Sequence, residues 1–289
     1  MGIEKANHFK IRNKDIRSKI NIQRKKEKIQ QKREKRKVQK EQNLPKQIPA
    51  TIESKRVFDE TIEKQVEKDN ESKEFSSYYE EGFEPKILIT SSPKPHKDTY
   101  KFIEFFSELF NDITFTKRQS KYSIKEMAKM CIKRDFTYLI VVNEDDNKKK
   151  VNGITFIHLP EGPSFYFSLS SFVDGKKISG HGNATNHIPE LILNNFQTNL
   201  GKKVGRLFQS LFPHTPEFEG RQVLTLHNQR DYIFFRRHRY LFKNEERVGL
   251  QELGPQFTLR LRRIQKDIKG DIEWEFKSSM DKDKRKFYL

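Results

Sequence analysis

The chain has 289 residues, a formal net charge of +18 and charged side chains at 34% of positions, with a mean hydropathy of −0.90; it has room for one or two ordinary domains, but not all of it can be core. Its single cysteine, Cys131, excludes an intramolecular disulfide and any cysteine-based zinc site, which points to a reducing compartment. No apolar run approaches the roughly 20 residues of a membrane-crossing helix, and no signal-like apolar segment opens the chain, so a soluble, intracellular protein is expected.

The charge is unevenly placed: about +12 falls in the first 40 residues, about −7 in residues 57–84 and about +12 from residue 85 onward. Residues 1–56 form a basic arm, almost free of aromatics, with a dense run from Arg24 to Lys40. Its sparse isoleucines bury no face, so a solvated helix or a disordered arm is expected, ending near Pro45 and Pro49. Short Lys/Arg runs of this kind serve as import signals and as RNA-contacting arms; the plainer alternative is a charged helix with no specific role. Residues 57–84 reverse the sign, through Glu60, Glu63, Glu67, Glu71 and Glu74, and read as an acidic linker.

From Ile87 the pattern becomes that of a folded domain. Ile87-Leu88-Ile89 is a short apolar run of the kind a fully buried strand shows. Phe102, Phe105, Phe106, Leu109 and Phe110 recur at helical spacing, and Ile113-Thr114-Phe115 predicts a second strand. Ser123-Ile124-Lys125-Glu126 predicts a capping box opening a helix whose apolar stripe is Met127, Cys131 and Ile132. Cys131 there reads as core, since no activating cation or histidine is near it in sequence. Tyr138 to Val142 predicts a third strand, and strands alternating with helices predict an α/β layer. After a polar loop at 143–150, residues 153–159 and 164–172 predict a hairpin. Phe165, Phe167 and Leu169 share one face of its second strand and read as core, although sheet aromatics also stack on RNA bases.

Pro189 ahead of Leu191, Ile192, Leu193 and Phe196 predicts a helix. Val204, Leu207, Phe208, Leu211 and Phe212 predict another, which Pro213 stops. The loop at 179–183 lacks a phosphate-binding fingerprint, and the glycine spacing at Gly201 and Gly205 is not that of a Walker loop. Strands are predicted at Val223–Leu226, Tyr232–Phe235 and Tyr240–Phe242, with Arg230, Arg236, Arg237, His238 and Arg239 between them. Such a cluster suits an RNA surface, where guanidinium takes phosphate and stacks on bases, or a sheet edge blunted by charge. Past Val248 to Leu253, the stretch Gly254 to Ile264 alternates Phe257, Leu259 and Leu261 with Thr258, Arg260 and Arg262. That is the period of a half-buried strand, greasy on one face and cationic on the other. Lys266, Lys269 and a basic tail at 277–289 continue the theme, and Trp274 is expected to pack on the domain.

Several separated motifs carry a family resemblance. Ile87-Leu88-Ile89-Thr90, the run Phe156 to Pro163, Ile188-Pro189-Glu190-Leu191, Gly205-Arg206-Leu207-Phe208, the run Asn228 to Arg236, Gly254 to Leu259 and the closing Lys286-Phe287-Tyr288-Leu289 together resemble a Brix domain. The resemblance implies an α/β fold of two pseudo-repeated halves, each similar to anticodon-binding domains of aminoacyl-tRNA synthetases, spanning residues 85–276. It further implies a non-catalytic nucleolar factor that assembles the large ribosomal subunit on precursor ribosomal RNA. Pre-ribosomal assembly factors are the implied protein partners, one of them in a heterodimer. The family's proposed RNA-binding motif falls on Leu253 to about Lys269, with Arg260, Arg262, Arg263, Lys266 and Lys269 as the matching positions.

Independently of that resemblance, no paired carboxylates in a glycine-bounded pocket, metal-spaced histidines or nucleophile elbow mark an enzyme. No cofactor, small-molecule substrate or membrane partner is expected. The expected function is RNA binding through Arg230, Arg236, Arg237, Arg239 and the Arg260 to Lys269 cations. The alternative is a protein-docking scaffold whose arginines face acidic tails.

Overall fold

The structure, a computed structural model, describes residues 13–41, 49–51, 53–55, 75–79, 82, 84–244, 247–268, 270–282 and 286–289. The chain divides into Met1–Ser54 and Lys55–Leu289. In the first unit a single helix, α1 (Lys14–Glu41), is capped at its start by Asn13, whose side-chain oxygen accepts from the amides of Asp15 and Ile16. Ile16, Ile22, Ile29 and Val38 are exposed, as their sparse spacing requires. The acidic positions Glu60 to Glu74 lie outside the described residues.

The second unit is built on one large mixed sheet. Its strands are β1 (Lys86–Ser91), β2 (Asp112–Phe115), β3 (Tyr138–Asp145), β4 (Lys150–His158), β5 (Ser164–Val173), β6 (Glu190–Asn194), β7 (Gln222–Gln229), β8 (Tyr232–Asn244), β9 (Arg247–Glu252), β10 (Gln256–Gln265) and β11 (Ile272–Glu275). Four α-helices accompany them among the described residues: a short turn α2 (Ser76–Tyr79), then α3 (Lys97–Ser107), α4 (Ile124–Ile132) and α5 (Asn199–Gln209). The sheet order is β2-β1-β3-β4-β5-β10-β8-β7-β6, with β11 added to β10 and β9 to β8.

That order is one unit written twice. In the first half β1 runs parallel to β3, which antiparallel β4 and β5 follow. In the second, β6 runs parallel to β7, which antiparallel β8 and β10 follow. β5 and β10 pair antiparallel at the centre, so the halves meet strand to strand and share a core. Phe156 touches Phe106 beyond the middle of α3 and Phe208 of α5, at ring distances of 6.4 and 5.8 Å, which places both helices on one face. Their ends meet where Phe110 and Phe212 stand 5.1 Å apart.

The opposite face differs between the halves. In the first, α4 covers it: Met127, Ala128 and Cys131 pack on Leu88, Leu139, Val141, Ile157 and Leu159. The capping box is formed as predicted, Ser123 Oγ accepting from the Glu126 amide and Glu126 from the Ser123 amide, and Cys131 is core. In the second half no α-helix among the described residues lies over that face; a 3-10 turn at Ser278–Lys282 reaches its corner through Asp281. Two expectations are corrected here. The helix expected after Pro189 is strand β6: Leu191 and Leu193 face the core cluster and Ile192 faces out, an alternation that a three-residue apolar run conceals. The strands expected at 232–235 and 240–242 are one thirteen-residue strand, and with β6 in place of a helix the second half holds one helix of this layer, among the described residues, where two were expected.

Gly254, just before β10, has φ +71, and a Cβ there would come within 2.4 Å of Gly175 Cα, so only glycine fits this approach. At the other end of the chain Phe287 and Leu289 are buried, and Asp231 accepts from the amides of Tyr288 and Leu289. The end of the expected basic tail is thus folded onto the second half. Trp274 packs against the core cluster, as expected.

Candidate nucleic-acid interface

Strand alternation decides where each arginine goes. In β10, Phe257, Leu259 and Leu261 join the core while Thr258, Arg260 and Arg262 leave on the face opposite α3 and α5. The same open face receives Tyr166, Ser168 and Ser170 from β5, Phe234 and Arg236 from β8, and Thr225 and His227 from β7, by the register of the ladders. It is a surface of hydroxyls, aromatic rings and guanidinium groups, with Tyr232 at its margin.

The guanidinium groups on it are held. Arg260 lies 4.1 Å over the Phe276 ring and 4.6 Å over Tyr232, and donates to Asp281 at 2.7 Å. Its side chain is only 12% exposed, and such stacking in a partly dry setting is worth about 1–2 kcal/mol. Arg262 donates through Nε to Ser168 Oγ at 2.9 Å and lies 5.1 Å from the Phe276 ring. A register shift next to it turns Arg263 toward β11, where it forks onto Glu275 at 2.9 and 2.5 Å. Phe276 and Asp281, which roof this corner, carry no signal in the sequence, because the reversal after β11 brings them there. Tyr232 was legible, since it shares the alternation of Phe234 and Arg236.

The remaining cations divide. Arg230 is exposed in the two-residue turn between β7 and β8, where both Arg230 and Asp231 have positive φ. Arg239 and Lys266 are exposed, and none of the three makes an ion pair among the described residues. Arg236 lies 3.8 Å from Glu252. Lys269 lies outside the described residues. Arg237 corrects the picture of a surface cluster at 236–239: within one continuous strand its neighbours point outward and it points in, 1% exposed. Its Nε and Nη donate to Gln222 Oε1 at 3.1 and 2.7 Å, and Glu108, just past α3, stands 3.6 Å away. Burial lowers its pKa and Glu108 opposes that shift; the group stays charged because an arginine titrates far above neutrality.

Arg237→Met is expected to cost about 2 kcal/mol, since it leaves the Gln222 acceptor unmatched in the interior while Glu108 remains hydrated. Urea melts of Arg237→Met, Gln222→Leu and the double variant check this: Gln222→Leu also loses its donations to Thr185 and the His187 carbonyl, so the two single losses should be less than additive in the double variant by the worth of the shared pair.

Residues 92–263 match the Brix domain. The chain is 59% identical over 252 residues to Ribosome production factor 1 of Saccharomyces cerevisiae, covering 86% of this chain and 84% of that protein. It is 49% identical over 255 residues to the Mus musculus protein of the same name, covering 85% and 72%. The chain belongs to the Brix-domain family. Among solved structures it aligns with an archaeal Imp4-like protein at 16% identity and a TM-score of 0.35, covering 62% of this chain and 98% of that one. The matched Brix stretch ends at Arg263, so Phe276 and Asp281, which hold Arg260, lie beyond it.

Proposed function

We propose that this chain is a non-catalytic ribosome biogenesis factor of the nucleolus, which holds precursor ribosomal RNA of the large subunit during assembly. The observation that carries the reading is the open face of the second half. A sheet surface of hydroxyls, rings and stacked guanidinium groups, with no α-helix over it among the described residues, suits a ribose-phosphate chain, with phosphates taken by the cations and exposed bases stacked on Phe234 and Tyr166. Arg230 and Lys266, exposed and without ion pairs among the described residues, add charge at its margins, and the helix α1 adds a basic arm; Arg239, two residues on from the inward Arg237, leaves β8 on the other side. The names of the relatives supply the ribosomal setting. Phosphate contacts dominate such binding, so it discriminates little between sequences.

In filter binding to a large-subunit precursor fragment, affinity should fall steeply with salt. Each phosphate contact removed should flatten the log–log slope by about 1. The double variant Arg230→Glu and Lys266→Glu should therefore bind more weakly and with a shallower slope. Binding indifferent both to salt and to this variant refutes the reading.

The docking-scaffold reading has its own support: Arg260 and Arg263 are satisfied within the chain, by Asp281 and Glu275. In-cell RNA crosslinks confined to residues 13–41, with none on β5, β8 or β10, would favour a folded domain that binds assembly factors, with a heterodimer partner among them.

A further inference from the structure

Strands β8 and β9 run on past the sheet as a two-stranded ribbon. Directly opposed residues share a face, so the pairs Tyr240 with Leu250 and Phe242 with Val248 place four apolar side chains together. Phe242 is 68% exposed and Leu250 63%. The other face carries Arg239 and Lys243 flanking Leu241, which pairs with Gly249. A ribbon of this kind is marginal in water by itself, and an exposed apolar cluster on it calls for a partner.

The edge of β9 identifies the kind of partner. β9 pairs with β8 alone; its far end is closed by the Gly182 amide, which donates to Glu252 O at 2.8 Å. From Arg247 to Leu250, among the described residues, no backbone hydrogen bond joins its outer side to another segment; Gly182 lies against the side chain of Gln251. Natural edge strands are blunted by lysine, proline or a bulge, yet the middle of this one is Val248-Gly249-Leu250. The face that carries Leu241 is cationic: Arg239 and Lys243 are exposed on it and Arg221 lies beside it, with Glu219 the acidic residue on the same groove.

We propose that the outer edge of β9 is a docking site for an extended segment of a partner protein, added as a further strand, in which apolar and acidic residues alternate. Backbone hydrogen bonds supply the pairing. One set of side chains extends the Tyr240, Phe242, Val248 and Leu250 cluster, while the other meets Arg239 and Lys243 on the reverse face. This site is separate from the face assigned to RNA and does not depend on that assignment.

The probe is a capped ten-residue peptide of alternating Val and Glu, added to the full chain, with hydrogen exchange read at the β9 amides and affinity by fluorescence titration. Saturable binding that slows exchange between Arg247 and Gln251 is expected. Leu250→Lys should weaken binding about tenfold, as loss of a central apolar contact does. The double reversal Arg239→Glu and Lys243→Glu should lose the Val/Glu peptide and take an alternating Val/Lys peptide in its place, a swap that a misfolded variant would not show. No protection of β9, equal binding of the two peptides to the unaltered chain, displacement by single-stranded RNA at the same site, or self-association of the chain through β9 would each overturn the proposal.

Discussion

Phe257→Ala should lower the stability of the folded unit by about 4 kcal/mol, as the removal of a large ring from a filled core does. Phe257 is 1% exposed and lies in β10, the strand by which the halves join. Its ring stacks on Phe235 at 4.1 Å and meets Phe102 of α3 edge-on at 5.5 Å, so one truncation strips contacts from β8, from β10's own half and from the helix of the other half. The neighbouring rings are held by a cluster that spans both halves, which leaves little room for the cavity to collapse. Because that cluster is shared, urea unfolding should remain a single transition with an unchanged slope and a lower midpoint. Phe242→Ala, which removes a ring of the same size from the exposed ribbon, should shift the midpoint by no more than about 0.5 kcal/mol. Equal effects from the two variants would mean that the halves do not share this core.

The placement of Phe257 was written in the sequence, and the fate of its neighbours was not. Strict alternation from Phe257 to Arg262 gave strand β10 and its two faces, and Ser123 with Glu126 gave the start of α4, because both signals are local. The repeat is implied by the family resemblance and is not visible in the residue pattern by itself. It lies in the pairing of β1 with β3 and β6 with β7, and β6 itself reads as a helix, since Leu191-Ile192-Leu193 fits a buried stretch of either kind. Arg237 shows the same limit. Four basic residues in succession look like a surface cluster, but a continuous strand forces alternate side chains to opposite faces, and Gln222 on the next strand was waiting to receive one of them. Arg260 was correctly given an outward direction, yet its contact with Asp281 depends on a chain reversal after β11 that no local pattern announces.

Acidification should destabilise the folded unit through His158, by about 3 kcal/mol once both of its titrations have been crossed. The ring is buried between Phe75 and Tyr138, at centroid distances of 4.9 and 5.0 Å, and its Nδ1 has no hydrogen-bond partner among the described residues. Burial disfavours the imidazolium, so the pKa is pushed down to about 4 from the ordinary 6.5. Tyr138, the polar group against it, is itself committed to Ser210 Oγ and its own ionisation is pushed far upward by burial, so it offers no negative charge to offset this. Above pH 6.5 the ring is neutral in both states and the stabilisation is complete. Between 6.5 and about 4 the unfolded chain takes up a proton that the folded one refuses, and stability declines as pH falls. His158→Phe removes that titration, so its stability should lose this part of the slope over the same window, whatever its value at pH 7. Phe75→Ala should act in the intermediate sense: hydrating the ring raises its folded pKa toward 6.5 and makes the decline shallower. If His158→Phe titrates as steeply as the unaltered chain, the acid sensitivity belongs to another group, and the anchoring of Phe75 over this histidine has no part in it.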